Sequence, residues 1–179
     1  MINNTNELNL DYVKKTGAIL ILRKPEKINL QDLIKFKSRC KTRKIKLYIA
    51  NNLRFLFLLG TNNFYISAYN KKKYLHLNRI NKNINIIGSA HNISEIKEKI
   101  EQGCDKIFLS RLFQTKYLYK KGHLGKVKFN LLTRKVSASF VALGGIKKEN
   151  FNQIKNLNIN GIAIQSDKKK AGKYIPAFF

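Results

Sequence analysis

The chain reads as an α/β protein, a short (β/α)8 TIM-type barrel with its first strand truncated or degenerate. Three observations predict this. Seven short runs of β-branched and other apolar residues recur without inside–outside alternation, the mark of strands covered on both faces, as in a parallel sheet. Stretches of helical spacing separate most of these runs, the order expected of strand–helix–strand units. No linker, repeat or low-complexity tract divides the 179 residues, so 1–179 form one domain. Barrels of this kind usually need about 200–250 residues, so this one is short.

The elements follow in order. Residues 7–15 have a weak helical face of Leu8, Leu10 and Val13, and Gly17 leads into the first strand, Ala18 to Leu22. Pro25 breaks it. Residues 29–43 read as a helix capped by Asn29, with Leu30, Leu33, Ile34 and Phe36 inward. Lys46 to Ala50 is the second strand, 52–59 a short helix ended by Gly60, and Asn63 to Ser67 the third strand. Ile84 to Ala90 is the fourth, followed by the helix Ile93 to Ile100 and its stop at Gln102-Gly103. Asp105 to Ser110 is the fifth. A long loop from Arg111 to Gly125 and a weak helical region precede the sixth, Ser139 to Gly145. A helix over Asn150 to Leu157 and a seventh strand, Gly161 to Ser166, complete the pattern.

Composition bounds the function. Lysine and arginine number 36 against 10 acids, a formal net charge of +26. Such a balance suits an anionic partner, but 21 Asn and 22 Ile also fit a base-composition bias that enriches lysine. Hydrophobic residues at 44% are enough for a core, which excludes disorder by charge and low hydrophobicity. The segment MINNTNELNLDY has no basic-then-apolar leader pattern, and the longest apolar run, Leu53 to Gly60, is far too short to span a membrane. Cys40 and Cys104 form neither a disulfide framework nor a zinc cluster. The expectation is a soluble, cytoplasmic protein with no membrane partner. Its oligomeric state is not legible.

In a parallel barrel the chemistry sits at the C-terminal strand ends. Those positions hold Arg23 and Lys24, Asn51 and Asn52, Ser67 and Asn70, Ser89 and His91, Ser110 and Arg111 with Gln114 and Thr115, Gly144 and Gly145, then Gln165 and Ser166. This rim is cationic, amide and hydroxyl, with no carboxylate before Asp167. It suits an anion better than a divalent cation, which prefers carboxylate oxygens. Gly144-Gly145 can bring backbone N–H groups close to a ligand, and Ser166 opens a predicted helix, so the two together fit a phosphate site. The same Gly-Gly also fits a plain strand-to-helix turn. His91 fits a helix cap as well as a ligand or proton-transfer role. Neither cysteine has a base beside it in sequence that would make it a nucleophile.

Four segments carry a resemblance. Ile86 to Asn92 (IIGSAHN), Gly103 to Thr115 (GCDKIFLSRLFQT), Val141 to Asn150 (VALGGIKKEN) and Gly161 to Ser166 (GIAIQS) resemble, in order and spacing, the motifs of the thiamine-phosphate synthase and TenI family. The resemblance covers roughly residues 17–166. It implies a (β/α)8 barrel and a role in thiamine biosynthesis. Its partners would be a phosphorylated thiazole and a hydroxymethylpyrimidine pyrophosphate, joined by a transferase that releases pyrophosphate with Mg²⁺. It also implies the sites. The thiazole phosphate would lie at Gly144, Gly145 and Ser166, with Thr115 and Lys116 nearby. The pyrimidine pyrophosphate would face Arg23, Asn51 and Ser89; Lys24 and Asn52, beside them in sequence, are further candidates, and catalysis is expected of Arg23, Lys24 and Ser89.

The departures are equally specific. The family's two Mg²⁺ carboxylate positions appear here as Asn52 and Asn70, so no metal ligand is expected and no cofactor is assigned. The position of the TenI tautomerase histidine holds Arg111, which stays protonated and is a poor base. The family's opening strand would fall at Met1 to Thr5, too short and polar to be a whole strand. Two alternatives stand beside the transferase: a non-catalytic, phosphate-ester-binding or regulatory barrel, and a basic nucleic-acid-binding protein. The second has charge behind it but none of the usual nucleic-acid-binding motifs, so no specific nucleic-acid partner is expected.

Overall fold

Asparagine starts most of the helices. Asn9, Asn29, Asn52 and Asn92 cap α1 (Leu10–Lys15), α2 (Leu30–Thr42), α3 (Leu53–Leu58) and α4 (Ile93–Glu101), each side-chain oxygen accepting a first-turn amide. This satisfies one of the four N–H groups that a helix start leaves open. The computed structural model describes residues 8–74, 77, 83–115 and 122–163.

Between the helices lie seven strands: β1 (Leu20–Leu22), β2 (Leu47–Ala50), β3 (Asn63–Ile66), β4 (Asn85–Ala90), β5 (Lys106–Ser110), β6 (Ser139–Leu143) and β7 (Gly161–Ala163). They form one parallel sheet in sequence order, β1 to β7. Ile66 lies against Gly88 and Ser110 against Leu143. Several of the first six predicted runs overshoot their strands by one or two residues, because flanking residues belong to turns; the end of the seventh, 164–166, lies outside the described residues. Ala18, for example, donates its amide to Val13 rather than to a strand.

Both faces of the sheet are covered, which is why the runs do not alternate in polarity. Outward residues Leu22, Ile49, Phe64 and Ile86 pack with Leu33, Phe36 and Leu56 of the helices. Further along, Ile107, Leu109, Phe140 and Ile162 pack with Ile96 and with Phe129 of α5 (Gly125–Arg134). Inward residues Ile21, Tyr48, Tyr65, Ile87, Phe108 and Val141 form a third cluster, enclosed by the curl of the sheet. The architecture is that of a curled, open barrel. Among the described residues no pairing joins β7 to β1, and the opening strand expected at Met1 to Thr5 lies outside them.

The helix expected over Asn150 to Leu157 is present as a 3₁₀ helix, shifted toward the N-terminus to Lys148–Ile154. The segment is rich in asparagine, a weak helix former that competes locally with the backbone. Asn150 instead supports the helix start: its Oδ1 accepts the Lys147 amide at 2.8 Å and its Nδ2 donates to the Gly145 carbonyl at 2.8 Å.

Candidate functional site

The alternation hidden within each strand decides what faces the interior. Phe64 and Ile66 point to the helices, so Tyr65 and Ser67 point inward; likewise Ile87 and Ser89, and Phe108 and Ser110. At the C-terminal end this places the buried hydroxyls Ser67, Ser89 and Ser110 on three neighbouring strand ends. Ser89 Oγ accepts the Ala68 amide at 3.0 Å and hydrogen-bonds the Tyr65 hydroxyl. Burial raises the Tyr65 pKa above its usual range, the Ser89 bond and the charge of Arg23 opposing it. Tyr65 therefore stays a neutral phenol, within electrostatic reach of Arg23 at the end of β1.

Asn51 organises the next layer. It sits in the left-handed region, φ 57°, which asparagine tolerates better than most residues. Its Oδ1 accepts from the Ser67 amide at 2.9 Å and from Asn70 Nδ2 at 3.0 Å, and its Nδ2 lies 2.8 Å from Ser67 Oγ and 3.1 Å from the Tyr69 hydroxyl. Asn70 Nδ2 also donates to the Tyr74 hydroxyl at 2.8 Å, and its Oδ1 accepts the Lys72 amide at 3.0 Å. The ends of β2 and β3 are thus tied into one amide–hydroxyl network.

Beneath this network lies a lysine that the sequence reading missed. Lys99 is buried, and its ammonium donates to the Asn70 carbonyl at 2.9 Å and to Gln102 Oε1 at 2.7 Å. Gln102 Nε2 donates to the carbonyls of Asn70 and Lys72, each at 2.9 Å. The two side chains clamp the backbone at 70–72. The signal was present: Lys99 falls three residues after Ile96, on the buried face of α4.

Across the mouth, the loop after β5 lies on the turn after β6. Leu112 and Phe113 donate their amides to Leu143 and Gly144. Gly144 and Gly145 adopt φ 99° and 68°. A Cβ on Gly144 would fall 3.0 Å from Arg111 Cβ, and one on Gly145 only 2.5 Å from the Gln114 carbonyl oxygen. The tight-turn requirement is therefore real at both glycines. Thr115, one residue beyond Gln114, has a buried Oγ1 with no hydrogen-bond partner.

The predicted rim residues divide as follows. Arg23, Asn51 and Ser89 cluster around Tyr65 and Ser67. Arg111, Gly144 and Gly145 cluster across the mouth, with Gln114, the residue before Thr115, against Gly145. Lys24 is exposed at the start of the 3₁₀ turn Pro25–Lys27. Asn52 is committed to its helix, its Oδ1 accepting the Phe55 amide at 3.2 Å. His91 joins the start of α4: its amide and Nδ1 both meet Glu95 Oε2, at 2.7 and 2.9 Å. Lys116 and Ser166 lie outside the described residues. Burial pushes the Cys40 and Cys104 thiols up to about 11 and about 12, so neither is an activated nucleophile.

Comparison with known proteins places this geometry. The family model described as thiamine monophosphate synthase matches residues 6–167. Over 82 residues the chain is 38% identical to the thiamine-phosphate synthase of Prochlorococcus marinus subsp. pastoris, a match covering 45% of this chain and 23% of that protein. A second Prochlorococcus marinus thiamine-phosphate synthase is 35% identical over 80 residues, 44% of this chain and again 23% of the relative. The matched stretch thus spans about a quarter of these curated relatives. Among solved structures, a thiamine phosphate pyrophosphorylase from Pyrococcus furiosus superposes with a TM-score of 0.65 at 14% identity, over 87% of this chain and 79% of that one. The corresponding protein of Bacteroides thetaiotaomicron gives 0.55 at 15% identity, over 92% and 78%. These structures share the fold, and the family model covers nearly the whole chain: the chain belongs to the thiamine monophosphate synthase family.

Proposed function

We propose that the C-terminal mouth of the sheet binds the two phosphorylated substrates of thiamine biosynthesis and joins them, with release of pyrophosphate. One observation carries this reading: the mouth presents two arginines, Arg23 and Arg111, among hydroxyls and amides, and no carboxylate follows directly on β1 to β6. The thiazole phosphate would meet Gly144, Gly145 and Thr115. The buried Thr115 hydroxyl, now without a partner, is a polar group whose desolvation costs about 1–3 kcal/mol until something pairs with it. Lys116 and Ser166 belong to the same proposed subsite. The pyrimidine pyrophosphate would face Arg23, Asn51 and Ser89, with Lys24 and Asn52 at its margin. The protein would work in the cytoplasm.

The family's Mg²⁺ fits these residues poorly. At the two ligand positions stand amides, and both oxygens are in use: that of Asn52 by Phe55, that of Asn70 by Lys72. Among the described residues no group of three acidic, histidine or cysteine side chains could hold a metal. Charge developing on departing pyrophosphate must be stabilised by positioned donors, and in this reading Arg23 and Arg111 supply them.

Calorimetry with thiazole phosphate, with and without Mg²⁺, tests the reading. Binding in both conditions is expected, and absence of binding in both would sink it. Turnover of both substrates separates the transferase from a phosphate-ester-binding barrel that binds without reacting.

A further inference from the structure

The interior of the sheet is also open at its other end. At the N-terminal ends of β1, β2, β4 and β5 lies a cavity of about 260 Å³. Its inner wall is Ile19, Tyr48, Ile87 and Phe108, residues of the inward-facing cluster. Its rim is cationic: Lys14 from α1, Arg43, Lys44 and Lys46 from the turn before β2, and Lys106 at the start of β5. Among the described lining residues none is acidic. Barrel interiors are ordinarily filled by layers of bulky side chains, and here one layer leaves a void with an electropositive mouth.

The rim is built rather than accidental in shape. Arg43 Nε donates to Asp11 at 2.8 Å, which ties α1 to the turn after α2 and sets the edge of the opening. The Lys46 carbonyl accepts the Leu20 amide at 2.9 Å, which fixes the far side. Asp105 is close enough to act on Tyr48, and with burial it raises the Tyr48 pKa, so the wall carries a neutral phenol beside two further apolar side chains and a phenyl ring.

The geometry points to a second binding site at this N-terminal end, for a small aromatic phosphate monoester, with the ring against Tyr48 and Phe108 and the phosphate among the rim lysines. The volume lies just under the roughly 300 Å³ at which small-molecule pockets usually begin. That leaves room for a ligand no larger than a mononucleotide with a single-ring base, and excludes a dinucleotide. The site is independent of the mouth described above: the two share no residue, and the layer of Ile21, Tyr65 and Val141 belongs to the interior cluster but not to this cavity.

The test uses uridine monophosphate as probe, with uridine and inorganic phosphate as comparators, by calorimetry at about 150 mM salt, where loose surface attraction is screened. Uridine monophosphate should bind, and tighter than either comparator. In Lys14→Gln/Lys46→Gln its Kd should rise about tenfold or more, the scale of a lost charge-assisted contact. Both lysines are exposed, so this variant keeps its fold. Ala18→Phe, which projects a ring into the opening, should weaken binding as well. Ser89→Ala at the opposite mouth should leave the Kd unchanged. Equal affinity for the wild type and the double lysine variant would overturn the site. So would inorganic phosphate binding as tightly as the nucleotide, or loss of binding in Ser89→Ala alone. Thiazole phosphate binding at the mouth is read in Lys14→Gln/Lys46→Gln, where this cavity is disabled, and its failure there would not alter these readings, so the two proposals fail separately.

Discussion

The Lys99 ammonium reaches the Asn70 backbone carbonyl, 2.9 Å away, from inside the protein. Burial lowers its pKa below the ordinary 10.5. The folded state therefore binds fewer protons than the unfolded chain in the window below 10.5, and stability gains from this group as pH rises through that window. Lys99→Met removes the titration. Urea unfolding of both proteins across alkaline pH should show the wild type gaining on the variant as pH rises. Hydrogen exchange in Lys99→Met should also quicken at the Lys72 amide, which the clamp on Asn70 protects; an unchanged rate there would remove Lys99 as the support of this loop.

Gly88 tests the same packing from the sheet. A Cβ there would lie 2.7 Å from Cys104 Sγ and 2.9 Å from Lys99 Cδ. Lys99 is anchored at its Nζ and cannot swing aside freely. Gly88→Ala should cost about 1–3 kcal/mol, the usual range for overpacking. Combined with Cys104→Ala, part of that loss should return, which a double-mutant cycle by chemical unfolding can measure.

Two glycines with similar backbone angles should behave differently. Gly17 and Gly145 have φ 63° and 68°, yet a Cβ on Gly17 meets nothing within 4 Å, while on Gly145 it meets two carbonyl oxygens below 3 Å. Gly17→Ala should lose about 1 kcal/mol from left-handed strain alone. Gly145→Ala should lose more in thermal melting, and should weaken thiazole phosphate binding where Gly17→Ala does not.

The amides at the family's metal positions can be exchanged. Aspartate caps helices about as well as asparagine, so Asn52→Asp should melt within about 0.5 kcal/mol of the wild type. Asn70→Asp loses the donor to Asn51 and Tyr74 and should cost about 1–3 kcal/mol. Millimolar Mg²⁺ should leave the melting temperature of the wild type unchanged and raise that of the double variant.

Both thiols should be slow to alkylate. Burial is the leading cause at each, and pKa values of about 11 and about 12 leave almost no thiolate at pH 8. Mass spectrometry after iodoacetamide should find Cys40 and Cys104 unmodified in the folded protein and modified in urea.

What the sequence made legible follows from burial. Strands such as Leu47–Ala50 are apolar on both sides, so their existence is plain. Which side faces the interior is not, because Tyr48 and Ile49 are both buried. That is why Tyr65 went unnoticed while Ser89 and Asn51, polar and at strand ends, did not; Lys99 was overlooked because a lysine reads as solvated even on the buried face of a helix. Gly88 belongs to a segment that resembles a family motif, yet its own requirement is the helix packed behind it. The helix expected over Asn150 to Leu157 forms two residues earlier as a 3₁₀ helix, its start held by the Asn150 side chain.

The asparagine caps have a consequence for acid tolerance. Acid unfolding is driven largely by carboxylates whose folded-state bonds are lost on protonation. Here α1, α2, α3 and α4 all begin on an amide, which does not titrate. As pH falls, these amide caps persist, and protonation acts instead on carboxylate contacts such as the Asp11–Arg43 pair and the bonds of Glu95 to His91 at the start of α4. A composition that looks like a by-product of base bias thereby gives α1, α2 and α3 caps that acid does not touch, and leaves α4, with Glu95 at its start, as the acid-sensitive one.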